Sequence, residues 1–589
     1  MVMLKDILVR YEEASGQRVN LQKSSIFFGR GFQEEDKNEL KDALGVQSEA
    51  LSERYLGLPT LVGRSKEGTF KYVTESSKGK VGGWKGQGLS KAARGVLIKS
   101  GLQAVPNHTM SCFQLTKKMC RNLTSISSKF WWAATNGERR VHWISWRKMC
   151  TSKRDGGMGF RDPEAFNQAL LAKQAWRILQ VPSSLCARVL KTRYFSNDSI
   201  LTATATSSAS YTFRSILHGR DLLCEGLIWR IGDGTSVNIH HANWIPRAGS
   251  MRPLGQVFVP GMTKVAHLLT ADGRRWDINK LQDMFSEDEV NDIKQIAIGG
   301  PGTEDYPAWN FIKNGDFAVR SAYHLRMTLN NATSRRPEGS SSVTKHKGYL
   351  ALWDTSAPAK AKIHMWRLIR NGLAVGAELH RRRIKPGVFC VACGQEETVL
   401  HRFWSCQHSA QFWQLLHSEK GVSVATPPSP IDSQSALASW LLGWLAEASD
   451  EDKAAMIQAT YGLWLARNEA RDGRMISSPH EIMETVASHM RDWQDAHVRD
   501  PRPAMVQPKQ KWRPPDGGWL KVNSDGEVSK VSKSGGGGAV IRDQDGAFRA
   551  GLCHCFRGVD DPESILSCKR ALEVAKEINA DKVHVELDS

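Results

Sequence analysis

Residues 517–526 read GGWLKVNSDG, residues 534–546 SGGGGAVIRDQDG, residues 548–558 FRAGLCHCFRG and residues 582–589 KVHVELDS. The first stretch alternates apolar and polar side chains in period two and stops at Asp525-Gly526, the pattern of a half-buried strand running into a turn. The second enters a strand through four glycines and turns at Asp545-Gly546, the third is a strand, and the last is a fourth strand ending at Asp588. Between the third and the last, Asp561-Pro562-Glu563 opens a helix, with Asp as N-cap and Pro at the first position. Ile565, Cys568, Leu572 and Ala575 supply its apolar face. Three strands, a helix and a strand make an α/β unit. An acid stands at the end of the first strand, in the first turn of the helix and at the end of the last strand. Carboxylates so placed, Asp525, Glu563 and Asp588, can converge on two divalent cations, Mg²⁺ or Mn²⁺, which activate a water and stabilise a leaving oxygen in phosphodiester hydrolysis. The competing reading is three ordinary surface charges, which would have to fall at two strand ends and a helix start by accident.

Working outward, DPRPAMVQPKQKWRPPDGG at 500–518 holds five prolines and little apolar content, an interdomain linker. A chain of 589 residues exceeds what one core can organise. Composition and punctuation divide it into 1–75, 76–245, 246–345, 346–415, 416–497, the linker 498–517 and the α/β unit 518–589. Residues 1–75 open with a helical pattern (Leu4, Ile7, Leu8, Tyr11), turn at Ser15-Gly16 and continue in the strand-like runs RVNL (18–21) and SSIFFG (24–29). Residues 76–245 are basic and tryptophan-rich, with helical stretches at 89–105 and 163–180. They close on LIWRIGDGTSVNIHHANWIPR, whose Gly-Asp-Gly predicts a β-hairpin. Residues 246–345 are irregular and end in the polar run NNATSRRPEGSSSVTKHKG, whereas 416–497 is helical. The fold class is multidomain α+β.

The 80 Lys+Arg against 61 Asp+Glu give a net charge of +19, which favours a polyanionic partner, with nucleic acid the usual one. Eleven cysteines in so long a chain do not form a disulfide scaffold and fit a reducing, intracellular compartment. The N-terminus has no apolar segment of the secretory kind, and no run of eighteen uncharged apolar residues occurs, so no membrane partner is expected.

Cys390, Cys393, His401 and Cys406 follow a C-x2-C-x7-H-x4-C spacing. A CxxC turn offers two thiolates to one ion, and a His and a Cys about one helical turn apart supply the other corners of a tetrahedron. Four ligands leave no open position, so the spacing points to structural rather than catalytic zinc. The bland alternative is buried thiols beside an unrelated histidine. Beside the cluster, Arg381, Arg382 and Arg383 suit contact with phosphates, although a charge run is more often a solvated face. Lys78, Lys80, Lys85, Lys91, Arg94 and Lys99 surround a helix whose apolar face is Leu89, Ala93, Val96 and Leu97, and they are further candidates for phosphate neutralisation. Trp84, Trp131, Trp132, Trp143 and Trp146 interleave with Arg139, Arg140, Arg147 and Lys148. Exposed indoles could stack on bases, but tryptophan is usually buried, and a core role is expected for most of them.

The segment built on KVNSDG, GGGGAVIRD, Glu563 ahead of its helix, and VHVELDS resembles type-1 ribonuclease H, in the variant appended to plant non-LTR (LINE-type) retrotransposon reverse transcriptases. That resemblance implies that Asp525, Glu563 and Asp588 are metal-binding carboxylates in an RNA–DNA hybrid endoribonuclease. The family carries a further acidic ligand and a histidine loop downstream; this sequence stops at Ser589, so the domain is expected to be incomplete, with an open sheet edge and impaired activity. Upstream, SGQRVNLQKS and YLGLPTLVGRSK resemble the late palm of the same family, making 1–75 a palm remnant. The stretches at 84–113, 130–150 and 156–179 are similar to its thumb and adjoining regions. AWNFIKNGDFAVRSAYHL and the Cys/His cluster resemble its zinc-binding domain, placed at 346–415. No Tyr- or Phe-Ala-Asp-Asp turn is present, so no polymerase centre is expected. Three readings follow: a hybrid-cleaving, nucleic-acid-binding protein acting on RNA, DNA or their hybrid; a catalytically dead nucleic-acid-binding remnant; or a zinc-stabilised scaffold for other proteins. A nuclear site of action rests on the family analogy alone.

Overall fold

The computed structural model describes all residues except 1, 23, 30, 50–53, 85–87, 134–140, 248–249, 255–258, 333–341, 385–386, 423–425, 429–430, 432, 498–512, 530–533, 558–562, 579 and 588–589. Lys85, Arg139, Arg140, Asp588, the Asp561-Pro562 cap and most of the proline-rich linker therefore lie outside the described residues. Mixed α and β elements form two units, residues 1–496 and 497–589.

The larger unit is mainly helical, and its sequence marks where helices begin. Thr116, Asp162, Ser184, Ser210, Ser286 and Ser449 each precede a helix, and each side-chain oxygen accepts the N–H of the third residue on. Such a cap satisfies a donor the helix cannot, and is worth about 1 kcal/mol. The helix Val2–Ser15 forms where the periodicity predicts, and Gly16 ends it with φ +68°. The strands expected at 18–21 and 24–29 do not form. Ile26 makes a single bridge to Glu49, and the Val19 N–H is taken by the Glu12 carboxylate at 2.6 Å. A strand needs a neighbouring ladder, and this stretch meets a helical side chain instead. β1 (Arg54–Tyr55) and β2 (Leu58–Pro59) do pair, through Leu56 and Gly57, both at positive φ, as a tight two-residue hairpin requires.

The main core of this unit ignores the composition break near residue 345. Ile98, Trp131, Trp146, Met149 and Phe160 pack in one cluster with Leu352, Trp366, Leu441, Leu463 and Met483. Trp366 Nε1 donates to the Gly156 carbonyl at 3.0 Å across 210 residues of chain. Gly156 has φ +81°, and a Cβ there would sit 2.7 Å from the Tyr349 ring, so only glycine fits this turn. Trp131, Trp132 and Trp146 are buried, while Trp84 and Trp143 are partly buried against the same core.

Two local expectations are corrected. In the helix Lys91–Ser100 the buried residues are Arg94, Gly95 and Ile98, while Val96 is 64% exposed. The face is turned because Lys91 Nζ and Arg94 Nη1 donate to the Trp131 and Ala133 carbonyls, at the C-terminal end of the helix Lys117–Trp132. Those carbonyls have no partner inside their own helix and carry its negative dipole end, so a cation settles there. The Gly-Asp-Gly stretch likewise makes no local hairpin. β3 (Leu227–Arg230) pairs antiparallel with β4 (Tyr306–Trp309). Gly232 and Gly234 N–H donate to Asp305 Oδ1 at 2.7 and 3.0 Å, and Ser236 donates to Oδ2 through N–H (2.9 Å) and Oγ (2.8 Å). Burial alone would raise the Asp305 carboxyl, but these bonds outweigh it and hold it below the usual carboxylate range. The stretch 246–345, irregular in sequence, closes a small core together with residues 231–245: Ile239 and Trp244 pack with Val265, Leu281 and Ile293, and the helices Ile278–Met284 and Glu287–Lys294 lie around them.

The smaller unit is a four-stranded mixed sheet in the order β7-β6-β5-β8: Phe548–Arg557, Ser534–Arg542, Leu520–Ser529 and Val583–Leu587. β5 pairs antiparallel with β6 and parallel with β8. A parallel neighbour demands a crossover, and the helix Glu563–Glu577 provides it, covering the sheet with Ala571 and Ala575 against Val522, Ala539 and Ile541. The buried face is therefore Ala571 and Ala575, whereas Leu572, expected inside, is 42% exposed. Two alanines let the helix lie close to the sheet, which a leucine between them would prevent.

Candidate metal centre and nucleic-acid interface

Phe389 and Glu396 bridge antiparallel, and between them the chain forms a knuckle. Cys390 N–H donates to the Gln395 carbonyl at 2.7 Å, and Gly394, at φ +74°, donates to Cys390 O at 2.9 Å. The five-residue π-type turn His401–Ser405 then carries His401 and delivers Cys406 to the start of the helix Gln407–Lys420. The ligand atoms of Cys390, Cys393, His401 and Cys406 all lie within 4.8 Å of one another. Cys390 Sγ stands 3.9 Å from Cys406 Sγ, close to the edge of about 3.8 Å in a tetrahedron with Zn–S bonds of about 2.3 Å. Cys393 Sγ to His401 Nε2 is 3.1 Å, so this edge would open slightly around an ion.

The surroundings fit an anionic Cys₃His complex. The two sulfurs share one proton: the hydrogen bond with Cys406 pulls the Cys390 thiol well down, and the same bond pushes Cys406 up. A metal would replace the proton these sulfurs share. Arg402 is fully buried beside them: Nη2 donates to the Leu463 carbonyl at 2.8 Å, while Nε and Nη1 have no hydrogen-bond partner among the described residues. Burial pushes its guanidinium down, and the charges of Cys390 and Cys406 oppose that. Three thiolates on a divalent ion leave one net negative charge, which a buried arginine neutralises. The donor set therefore fits a structural zinc ion, with no open position for chemistry.

Sequence reading missed the framework behind the knuckle. Glu397 and Arg467 are 1% and 2% exposed and form a two-pronged ion pair, with Arg467 Nε to Glu397 Oε1 at 2.7 Å and Nη2 to Oε2. Glu397 Oε2 also accepts the Gly376 N–H at 2.7 Å, and Arg467 Nη2 reaches the Ala374 carbonyl at 3.0 Å. The available signals were an acid inside the ligand loop and a lone arginine in the apolar run of the helix Asp450–Arg471.

In the smaller unit, Asp525 is an exposed residue of the central strand β5, opposite Gly538. The parallel register ends at Ser524 beside Leu587, one residue before Asp588, which itself lies outside the described residues. Glu563 is the first residue of the helix that packs on the sheet; its side chain is not among those described.

The basic candidates divide by what their cations touch. Lys78 and Lys80 are exposed. Lys91 and Arg94 are committed to the helix end described above, and Lys99 Nζ donates to Met158 O at 2.7 Å. Arg381 pairs with Glu378, and Arg382 donates to the His142 and Trp143 carbonyls while lying over the Trp143 ring. Arg383 is exposed at φ +56°.

The family described as zinc-binding in reverse transcriptase matches residues 317–413, from just ahead of the helix Val319–Ala332 through the metal cluster. An Arabidopsis thaliana relative named "Putative ribonuclease H protein At1g65750" is 27% identical over 552 residues, 90% of this chain and 86% of the relative. A second from the same plant, "Uncharacterized mitochondrial protein AtMg00310", is 45% identical over 152 residues, 26% of this chain and 99% of the relative. The chain belongs to the retroelement-derived proteins that carry a reverse-transcriptase zinc-binding part and a ribonuclease H-like part. No helix among the described residues is long and apolar enough to cross a membrane.

Proposed function

We propose that this protein binds nucleic acid through its basic larger unit and carries a ribonuclease H-type module that cuts the RNA strand of RNA–DNA hybrids. The observation that supports the hydrolytic part is the sheet order. β8 lies parallel to the central strand β5 with its last paired residue, Leu587, beside Ser524, the neighbour of Asp525, and the helix on the same sheet starts at Glu563. Asp525, Glu563 and Asp588 would hold Mg²⁺ or Mn²⁺, which supplies an activated water and charge stabilisation when bound. The zinc knuckle takes no part in the reaction; it holds one corner of the larger unit together. The net charge of +19 supports a polyanionic partner. A nuclear site of action belongs to the same reading and is open to imaging of the tagged chain.

The test is cleavage of a labelled hybrid in magnesium by the full chain and by Asp525→Asn. Cleavage by the parent, reduced at least about a hundredfold in the variant, is the expected result. Equal, negligible cleavage by both removes the hydrolytic reading and leaves binding, carried by the charge and by the zinc-binding family match, as the function.

A further inference from the structure

A cleft of about 1070 Å³ opens in the larger unit where the Cys150–Arg161 segment faces the helix Val319–Ala332. Its apolar floor includes Phe160, Phe166 and Met327, and its walls carry Lys99, Lys153, Arg161 and Arg320. None of these four cations forms an ion pair among the described residues. Arg161 lies 4.6 Å over the Phe166 ring and Lys153 4.6 Å over the Trp353 ring, so their charges are placed by aromatic faces and left uncancelled. Among the described residues the cleft has one carboxylate, Asp155, and that is already engaged by Ser152 Oγ at 2.7 Å and His346 Nε2 at 3.1 Å. Burial, then the Lys153 charge, hold the Lys99 ammonium below its ordinary range. A positive field therefore waits here for an anion.

We propose that this cleft is the seat of a single-stranded nucleic-acid segment, its phosphates on Lys99, Lys153, Arg161 and Arg320 and its bases toward the Phe166 and Tyr323 side. The inference rests on the nucleic-acid reading above and gives it a place. A cationic wall over an aromatic floor is what an unpaired strand needs, since it offers phosphates and bare base faces together. A duplex would use the wall and leave the floor empty, because its bases are stacked on one another. Phe166 and Tyr323 meet edge to face at 6.2 Å, both half-buried and both lining the cleft, with the Arg161 guanidinium over the Phe166 ring as a planar group on which a base can also stack. The helix Val319–Ala332 lies within the segment matched by the zinc-binding family, and Lys153 and Arg161 come from the tryptophan-rich part upstream. Nucleic acid would thus be gripped by two segments that share one core.

The experiment is a fluorescence-anisotropy titration of the full, zinc-loaded chain with labelled single-stranded RNA and DNA, repeated across salt concentrations. Three proteins are compared: the parent, Lys153→Glu/Arg320→Glu in the cleft, and Arg188→Glu/Lys191→Glu on the exposed helix Leu185–Tyr194. All four side chains are exposed, so both variants should fold, and tryptophan emission checks that they do. The cleft variant should lose at least about tenfold in affinity, with a shallower dependence on log salt by roughly one unit or more, while the control stays within about twofold. If the cleft variant binds like the parent, the cleft is refuted and the nucleic-acid reading stands. If the parent binds neither strand, that reading fails and the cleft with it. Equal binding of polyglutamate would also overturn the proposal, since it would show a site for any polyanion.

Discussion

Replacing Glu397 by Gln should unfasten the zinc knuckle from the rest of the larger unit. In the native arrangement the carboxylate receives Arg467 Nε, Arg467 Nη2 and the Gly376 N–H, with no water at hand, because both side chains are almost fully buried. A carboxamide keeps the shape but offers a single accepting oxygen. Its NH₂ must then face a donor, and the guanidinium stays behind without a counter-charge. Removing one partner of a buried pair costs about 3–5 kcal/mol. The double change Glu397→Leu/Arg467→Met removes both charges together and leaves the Gly376 N–H and the Ala374 carbonyl unsatisfied, about 1–3 kcal/mol each, while the half-buried Asn468 Oδ1 also loses a donor. The double variant should therefore be less damaged than the sum of its component singles, Glu397→Leu and Arg467→Met. Urea unfolding followed by tryptophan emission reads this directly, since the Trp464 ring lies 4.8 Å beneath the Arg467 guanidinium. Zinc release to a chelator provides a second readout: Glu397 sits between Cys393 and His401, and a loosened support should weaken metal binding by about 10–100-fold. Single variants within about 1 kcal/mol of the parent, or a double variant as damaged as their sum, would refute this account of the pair.

Further outcomes follow from the same geometry. Cys406→Ser should lower the zinc content from about one equivalent toward none, as measured by metal analysis after dialysis, with Cys186→Ser as the unaffected control on a different helix. Asp305→Asn should cost about 1–3 kcal/mol, since it disturbs four donated hydrogen bonds at once. The Asp305 carboxyl is depressed in the folded chain, so its contribution is present above the ordinary aspartate pKa of about 3.9 and is lost as the pH falls through the lower folded value. The parent should accordingly lose stability more steeply than Asp305→Asn in acid, as thermal melts at descending pH would show; parallel curves would contradict it.

What could be read from the sequence was what is encoded locally. The cysteine and histidine spacing spans seventeen residues, and the folded chain brings the same four side chains together. The strands of the smaller unit were legible because alternation in period two and a glycine-rich entry are properties of each segment alone. The Gly-Asp-Gly turn misled because its true partner, Asp305, lies more than seventy residues on, and no local pattern announces a carboxylate arriving from so far. The lysines and arginines misled in a similar way. Lys91 and Arg94 read as a phosphate-binding face, yet they serve a helix end that only the tertiary fold brings to them. The helix of the smaller unit was rotated in the reading because a leucine is the more hydrophobic choice, whereas close packing on the sheet selects alanine.

The core shared between residues around 98–160 and 349–486 also bears on how this kind of protein can be cut and recombined. The boundary suggested by the zinc-binding match falls through the middle of a packed interior. An expressed piece beginning near residue 317 or 346 would present the Trp366, Leu441 and Leu463 surface to water and would lack the Gly156 carbonyl that Trp366 needs. Such a piece should be insoluble even when its four zinc ligands are intact. For the same reason the metal-binding segment and the tryptophan-rich segment ahead of it are expected to travel together through gene duplication and rearrangement, as one inheritable block with two sequence signatures.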